Sequence, residues 1–185
     1  MNVYDFDGTL LEGDSEIYFF RYIKRNFKLT FKERFNMKYY KLREKYGMSY
    51  NITRPKIYSF LKSIDNIDDV VKDFWDKTKI HLYDWFSGFR KDSDIVVSAT
   101  PRFLLEPIIS ELGFKTLIAT DMDKNTGKLN GVYYLGEEKV KQFSKYYNIN
   151  DIDEFYSDSF RDTPLAIKAK KAYMIKNGVV TPWEF

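Results

Sequence analysis

The 185-residue chain contains no cysteine and a single histidine, His81. A disulfide scaffold, a cysteine nucleophile, a thiolate zinc site and a multi-histidine metal centre are therefore all excluded, which leaves oxygen ligands for any metal chemistry. Charge of one sign is also scarce. Thirty Lys and Arg stand against 27 Asp and Glu, a formal net charge of +3. That falls well short of the excess expected of a protein built to neutralise nucleic-acid phosphates, so no nucleic-acid partner is expected. No apolar run approaches the ~20 residues that cross a bilayer, and Met1 leads straight into a strand-like segment rather than a charged region followed by an apolar one. Membrane insertion is not expected, and the expected location is the cytoplasm. Repeats, low-complexity tracts and Pro- or Gly-rich linkers are missing too. What is abundant is aromatic: 15 Tyr, 16 Phe and 3 Trp, which should dominate the core and line any substrate wall.

Met1–Phe6 reads as a short buried strand closed by the turn at Gly8. From Asp14 to about Ser87 the pattern becomes wholly helical. Ser15 can cap SEIYFFRYIKRN. Thr30 and Glu33 form a capping box before a helix whose Phe31, Phe35, Tyr39, Leu42 and Tyr46 recur at helical spacing, a stripe expected to pack. A third helix is expected after Thr53 with Pro55 in its first turn, and a fourth from about Asp68 to Trp85. After Gly88 strands and helices alternate: IVVSA, PRFLLEPIISEL, KTLIAT, a hairpin through NTGKLNGVYYL, EEKVKQFSKYY, EFYSD, PLAIKAKK and AYMI. This order predicts an α/β fold with a parallel sheet covered on both faces, residues 1–13 and 88–185 forming the core and 14–87 a helical insertion after the first strand.

Chemistry-bearing residues fall at element ends. Asp5 and Asp7, two apart at the end of the first strand, project towards one rim, the place where open parallel sheets bind ligands. D-x-D-G is also ordinary turn chemistry. A calcium loop begins the same way, with Glu16 at its twelfth place, but Leu10 stands where that loop needs glycine. Ser98-Ala99-Thr100-Pro101 sets a hydroxyl and free amides between a strand and a helix, which suits either a phosphate or a simple cap. Lys139 opens a helix, a common place for a solvated lysine. Asp158 ends a strand, and Asp162 stands four residues on, where it could cap the helix begun by Pro164. Asp121-x-Asp123-x-Asn125-x-Gly127 has its glycine one place late for calcium and reads as a polar turn, while His81 reads as a surface or interfacial residue.

Taken together, D-x-D-G-T, strand-Ser, helix-Lys and S-D-x-x-x-D-x-P resemble the haloacid dehalogenase superfamily, in particular its phosphoserine-phosphatase-like branch with a helical cap, over nearly the whole chain. The resemblance implies a Rossmann-like five-stranded sheet and a Mg²⁺-dependent phosphomonoesterase acting on a small phosphorylated metabolite. Asp5 would be the nucleophile, and Asp7 the acid and base. Asp5, Asp158 and the Asp7 carbonyl would hold Mg²⁺, with Ser98, the Ala99 amide and Lys139 on the phosphate. Thr9 would fix the turn, and Asp162 would orient Lys139 or metal-bound water. Substrate choice would fall to Glu12, Asp14 or Glu16 and to Arg54, although the alignment there does not favour phosphoserine. A phosphotransferase would use the same residues. A non-catalytic binding module is disfavoured, because Asp5, Asp7, Lys139 and Asp158 are all retained. The basic second cap helix, with Lys32, Arg34, Lys38, Lys41, Arg43 and Lys45, is read as a solvated face opposite the aromatic stripe, the alternative being recruitment of a larger anionic substrate such as a phospholipid headgroup.

Overall fold

The computed structural model describes residues 1–88 and 90–185. Six strands form one sheet: β1 (Asn2–Tyr4), β2 (Ile95–Pro101), β3 (Thr116–Thr120), β4 (Glu154–Ser157), β5 (Lys171–Lys176) and β6 (Val179–Pro182). Their order is β3-β2-β1-β4-β5-β6, and β1 to β5 pair in parallel. The reversal between β1's two neighbours puts the carboxyl end of β1 at a topological switch point, where a crevice opens in a parallel sheet. The expected five-stranded sheet is one strand short. β6 turns back antiparallel on β5 through Asn177 and Gly178, both at positive φ, the two-residue turn that matches strand twist.

Between β1 and β2 lie α1 (Ser15–Asn26), α2 (Phe31–Lys45), α3 (Tyr50–Ile57) and α4 (Ile67–Thr78). The remaining helices, α5 (Arg102–Glu111), α6 (Glu137–Phe143) and α7 (Thr163–Ala166), belong to the alternating part. Caps explain several starts. Asp14, rather than Ser15, caps α1 by accepting the Ile17 amide at 2.8 Å; Ser15 is the first residue inside the helix and gives its own amide to Asp7. The α2 capping box is present as expected, Thr30 and Glu33 each bonding the other's backbone amide. Ser49 caps α3, which therefore begins before Thr53 and carries Pro55 in its interior. The fourth helix stops at Thr78 rather than running to Trp85, whose indole N–H reaches back to the Thr9 carbonyl at 3.0 Å.

Alternation along the strands divides the core in two. On one face Val3, Ile95, Val97 and Phe155 pack with Phe143 and Leu165. On the other, Tyr4, Val96, Leu104 and Ile108 are continuous with Phe19, Phe60, Phe74 and Trp75 of the inserted helices. The insertion is seated on the sheet rather than tethered to it: the Trp75 indole donates to the Leu104 carbonyl at 2.6 Å, and its ring meets Phe6 edge-on. The α2 stripe is the clear departure from expectation. Phe31, Phe35, Tyr39, Leu42 and Tyr46 are all exposed, while Glu33 and Met37 turn inwards. Polar anchors set that rotation, with Glu33 accepting Ser63 and Glu44 paired to Arg54. The expected hairpin after β3 reduces to a single bridge, Met122 with Leu129. Asp123 organises the tight turn there by accepting the Asn125 and Thr126 amides, which bears out a polar turn. His81 ends a short 3-10 segment at the surface, its ring 5.2 Å from that of Tyr18.

Candidate active site

A cleft of about 890 Å³ opens over the carboxyl ends of β1, β2 and β4, between the sheet and the inserted helices. Asp5, Asp7, Glu12, Asp14, Arg54, Ser98, Ala99, Lys139, Asp158 and Asp162 all line it. Thr9 lies beneath, fully buried, and its hydroxyl oxygen accepts the Asp158 amide at 3.0 Å, so it ties the β1 turn to the end of β4.

Lys139 is the electrostatic centre. Only 2% exposed, it contacts Asp5 Oδ1 at 2.9 Å and Asp162 Oδ2 at 2.8 Å. Burial alone would lower its pKa, but Asp5 and Asp162 hold the ammonium above its ordinary value. Asp162 also accepts the Ser157 hydroxyl at 2.8 Å. Its carboxylate therefore serves Lys139 and Ser157 instead of capping α7 by a side-chain bond, and Lys139 is not a surface lysine.

Asp7 is held from two sides. Oδ1 accepts the Ser15 amide at 2.6 Å and Oδ2 accepts the Thr100 hydroxyl at 2.7 Å. Burial, then the charge of Asp14, pushes its carboxyl up to about 7, against the lowering effect of those bonds. Burial likewise raises Asp5 well above its ordinary value despite Lys139, and reduced hydration followed by Asp162 raises Asp158. Four acids with raised pKa values, Asp14 included, converge on a cleft whose deepest cation is already shared between two carboxylates. Such a site is short of positive charge, the condition a divalent cation relieves. The donors here are carboxylate oxygens, the chemistry of a hard cation such as Mg²⁺, which takes one or two carboxylates and keeps water and substrate oxygen.

Gly8 shapes this corner. It sits at φ +71°, and a Cβ there would lie 2.1 Å from Asp158 Oδ2, so only glycine lets that carboxylate settle over the turn. At the end of β2 the register with β3 slips between Ser98 and Pro101, which lifts Ser98-Ala99-Thr100 into the cleft. Ser98 accepts the Thr100 amide at 3.1 Å.

The side of the cleft formed by the inserted helices is more constrained than its sequence suggests. Arg54 is buried and ion-paired to Glu16 at 2.5 Å and Glu44 at 2.9 Å. Its guanidinium lies 5.1 Å and 4.8 Å from the ring centres of Tyr50 and Tyr133. Glu16 further accepts the hydroxyls of Tyr58 and Tyr133. Glu12 is exposed at the rim and Asp14 is occupied as the α1 cap. Sequence reasoning missed Thr100 as the anchor of Asp7, although its place after a strand-end serine was a signal. It also missed Tyr133, which comes from a loop 117 residues from Glu16 and carried no signal at all.

A family model described as haloacid dehalogenase-like hydrolase matches residues 3–166. No curated protein is similar enough in sequence to count as a relative. Among solved structures, a protein of unknown function from Bordetella pertussis Tohama I superposes with a TM-score of 0.78 at 21% identity, over 93% of this chain and 87% of that one. A phosphoserine phosphohydrolase-like protein from Francisella tularensis subsp. tularensis SCHU S4 gives 0.58 at 18%, over 93% and 86%. A probable phosphoserine phosphatase from Vibrio cholerae gives 0.64 at 11%, over 92% of this chain and 55% of its own. At these identities the structures speak for the fold alone, whereas the family model spans most of the chain and meets the cleft residues up to Asp162: the protein belongs to the haloacid dehalogenase-like hydrolases.

Proposed function

We propose that the protein is a Mg²⁺-dependent phosphomonoesterase that works through an aspartyl phosphate on Asp5 and acts on a phosphorylated metabolite. The observation that carries this reading is the buried Lys139 bridging Asp5 and Asp162, with Asp7 in the same cleft and its carboxyl pushed up to about 7. Asp5, at the end of β1, attacks phosphorus in line. As the Asp5–P bond forms and the ester P–O bond breaks, Asp7 gives its proton to the leaving oxygen. Water then adds to phosphorus while Asp7 takes a proton back, and the Asp5–P bond breaks to release inorganic phosphate. A carboxyl with a pKa near 7 can do both jobs at neutral pH.

The charge that spreads over the equatorial oxygens is met by Lys139 from below and by the Ser98 hydroxyl and Ala99 amide at the end of β2. Asp162 keeps Lys139 pointed at Asp5, and Thr9 keeps Asp158 at the rim. The carboxylates of Asp5 and Asp158 with the Asp7 carbonyl would hold Mg²⁺, which supplies charge neutralisation between acids and phosphate. The test is hydrolysis of an aryl phosphate with and without Mg²⁺, together with mass analysis of enzyme quenched during turnover. Activity should require the ion and disappear in Asp5→Asn, and a phosphoryl adduct should map to Asp5. An Asp5→Asn enzyme that turns over like wild type would overturn the reading.

A further inference from the structure

The excess positive charge of the chain is concentrated in one place. Residues 21–45 hold ten Lys and Arg against two Glu, and the remainder is net acidic. Both of those glutamates are engaged, Glu33 with Thr30 and Ser63 and Glu44 with Arg54 and Thr53. Elsewhere, among the described residues, eight of the sixteen lysines pair with acids. Among the described residues, none of Lys32, Arg34, Lys38, Lys41, Arg43 and Lys45 makes an ion pair.

On the same helix Phe31, Phe35, Tyr39, Leu42 and Tyr46 fall on one stripe and face solvent, Phe31 at 86% and Tyr46 at 79% exposure. At ~100° per residue the stripe spans about a quarter of the circumference. Lys32 and Arg43 border it on one side, and Lys38, Lys45, Arg34 and Lys41 on the other. The inward face is the opposite one, carrying Glu33 and Met37. Burying five large apolar side chains would be favourable, yet the fold leaves them outside, flanked by cations whose long stems can carry charge to the level of a headgroup.

We propose that the exposed face of α2 is a docking surface for an anionic lipid bilayer, with the aromatic stripe entering the interface and the flanking cations meeting the lipid phosphates. Charge complementarity selects this occupant. A second copy packed two-fold along the stripe would set the same cations against themselves. Nucleic acid would want cations along the centre of the face, where Phe35, Leu42 and Tyr39 lie instead. A groove of about 540 Å³, lined by Lys24, Arg34, Met37, Lys38, Lys41, Leu42 and Lys45, adjoins the stripe, and Lys41 and Lys45 also line the catalytic cleft. The docked face and the mouth of the cleft are therefore neighbours. The helix lies on the surface and does not cross it: no helix among the described residues is long and apolar enough to span a membrane.

Sedimentation with vesicles tests this without reference to catalysis. The 185-residue protein should bind vesicles of phosphatidylcholine mixed with phosphatidylglycerol, ignore pure phosphatidylcholine, and release as salt rises. Replacing Lys32, Lys38 and Arg43 together by Gln should weaken partitioning on the order of 100-fold. Phe31→Ser with Phe35→Ser should weaken it roughly tenfold or more. All five side chains are exposed, so circular dichroism and thermal melting should match wild type. Equal binding to both vesicle types, or unchanged binding by both variants, would overturn the proposal. So would a dimer that the Phe variants dissociate, or an affinity for single-stranded RNA exceeding that for the anionic vesicles.

Discussion

Asp7→Asn should slow the enzyme and stabilise the free protein, and the second effect carries a pH signature that can be worked from the structure. The Asp7 carboxyl rises from 3.8 in the unfolded chain to about 7 in the folded one, so between those values the folded state binds the proton that the unfolded state has released. Stability contributed by the protonated form is complete below pH 3.8 and lost as pH rises through about 7. Three units at 1.36 kcal/mol each set a ceiling near ~4 kcal/mol, and partial solvent access from the cleft brings the expectation to about 2–4 kcal/mol. Asparagine keeps an acceptor for the Ser15 amide and stays neutral throughout. Urea denaturation in the presence of a chelator should therefore give nearly equal stabilities at pH 4 and favour the variant by about 2–4 kcal/mol at pH 8.

The comparison has to be made as a difference between variant and wild type, because Asp5, Asp14 and Asp158 are raised too and give the whole protein a falling trend over the same range. Asp14 adds to the gap in the same direction, since its charge is one reason Asp7 is raised. With Mg²⁺ and an aryl phosphate, the same variant should lose about 10²–10⁴ in turnover while still binding phosphate analogues. A gap that does not change between pH 4 and pH 8, or a variant no more stable than wild type at pH 8, would refute the claim that Asp7 is held protonated against its solvation.

Other substitutions separate the remaining roles. Gly8→Ala forces a Cβ onto the Asp158 carboxylate and should raise the Mg²⁺ concentration needed for half-maximal activity, with ~1–2 kcal/mol lost to the positive φ; an unchanged metal requirement would count against Asp158 as a ligand. Lys139→Met leaves Asp5 and Asp162 facing each other without a cation and should cost ~3–5 kcal/mol of stability as well as activity. Asp162→Asn leaves the Lys139–Asp5 pair intact and should cost markedly less, so that equal losses in chemical denaturation would sink the bridging role. Thr30→Ala removes half of the α2 capping box and should cost about 1 kcal/mol with no effect on hydrolysis.

The rim of the candidate site was legible because its residues are strand-end residues. In a parallel sheet the carboxyl ends of β1, β2 and β4 point the same way, so Asp5, Ser98 and Asp158, far apart in sequence, must arrive together once the strands are recognised. The partners of those residues were less visible. That Asp162 grips Lys139 rather than capping a helix depends on a 2.8 Å approach across 23 residues, which no local pattern encodes. The antiparallel β6 was available in the Asn177-Gly178 pair between two β-rich runs and was overlooked. The α2 stripe shows the opposite failure. Its periodicity was read correctly and its direction was not, because helical spacing says which residues share a face but not what that face meets.

Arg54, on the inserted helix α3, marks where such reading ends. A buried guanidinium facing a phosphate cleft looks, from sequence, like a ready receptor for a substrate carboxylate. Here its charge is paired by Glu16 and Glu44, its two terminal nitrogens donate to those carboxylates while Nε is buried without a hydrogen-bond acceptor, its faces lie against Tyr50 and Tyr133, and the carboxylates hold its pKa above the ordinary value even though burial opposes this. A small dianionic substrate that claimed Arg54 would have to leave Glu16 with only the Tyr58 and Tyr133 hydroxyls, and an unpaired buried carboxylate costs more than one new surface-type pair returns. Specificity is then better sought among charges that are still free. Lys41 and Lys45 line the cleft at the border with the basic face of α2 and make no ion pair among the described residues, although the charge of Lys41 favours the ionised form of Asp14. Replacing both by Gln should raise KM for a polyanionic phosphate ester and leave kcat for a neutral-bodied aryl phosphate within about twofold, since screened charges act on encounter and binding rather than on the bond being broken. A fall in kcat for both substrates alike, with KM unchanged, would place these lysines in the chemistry and refute the division of labour between the sheet and the inserted helices.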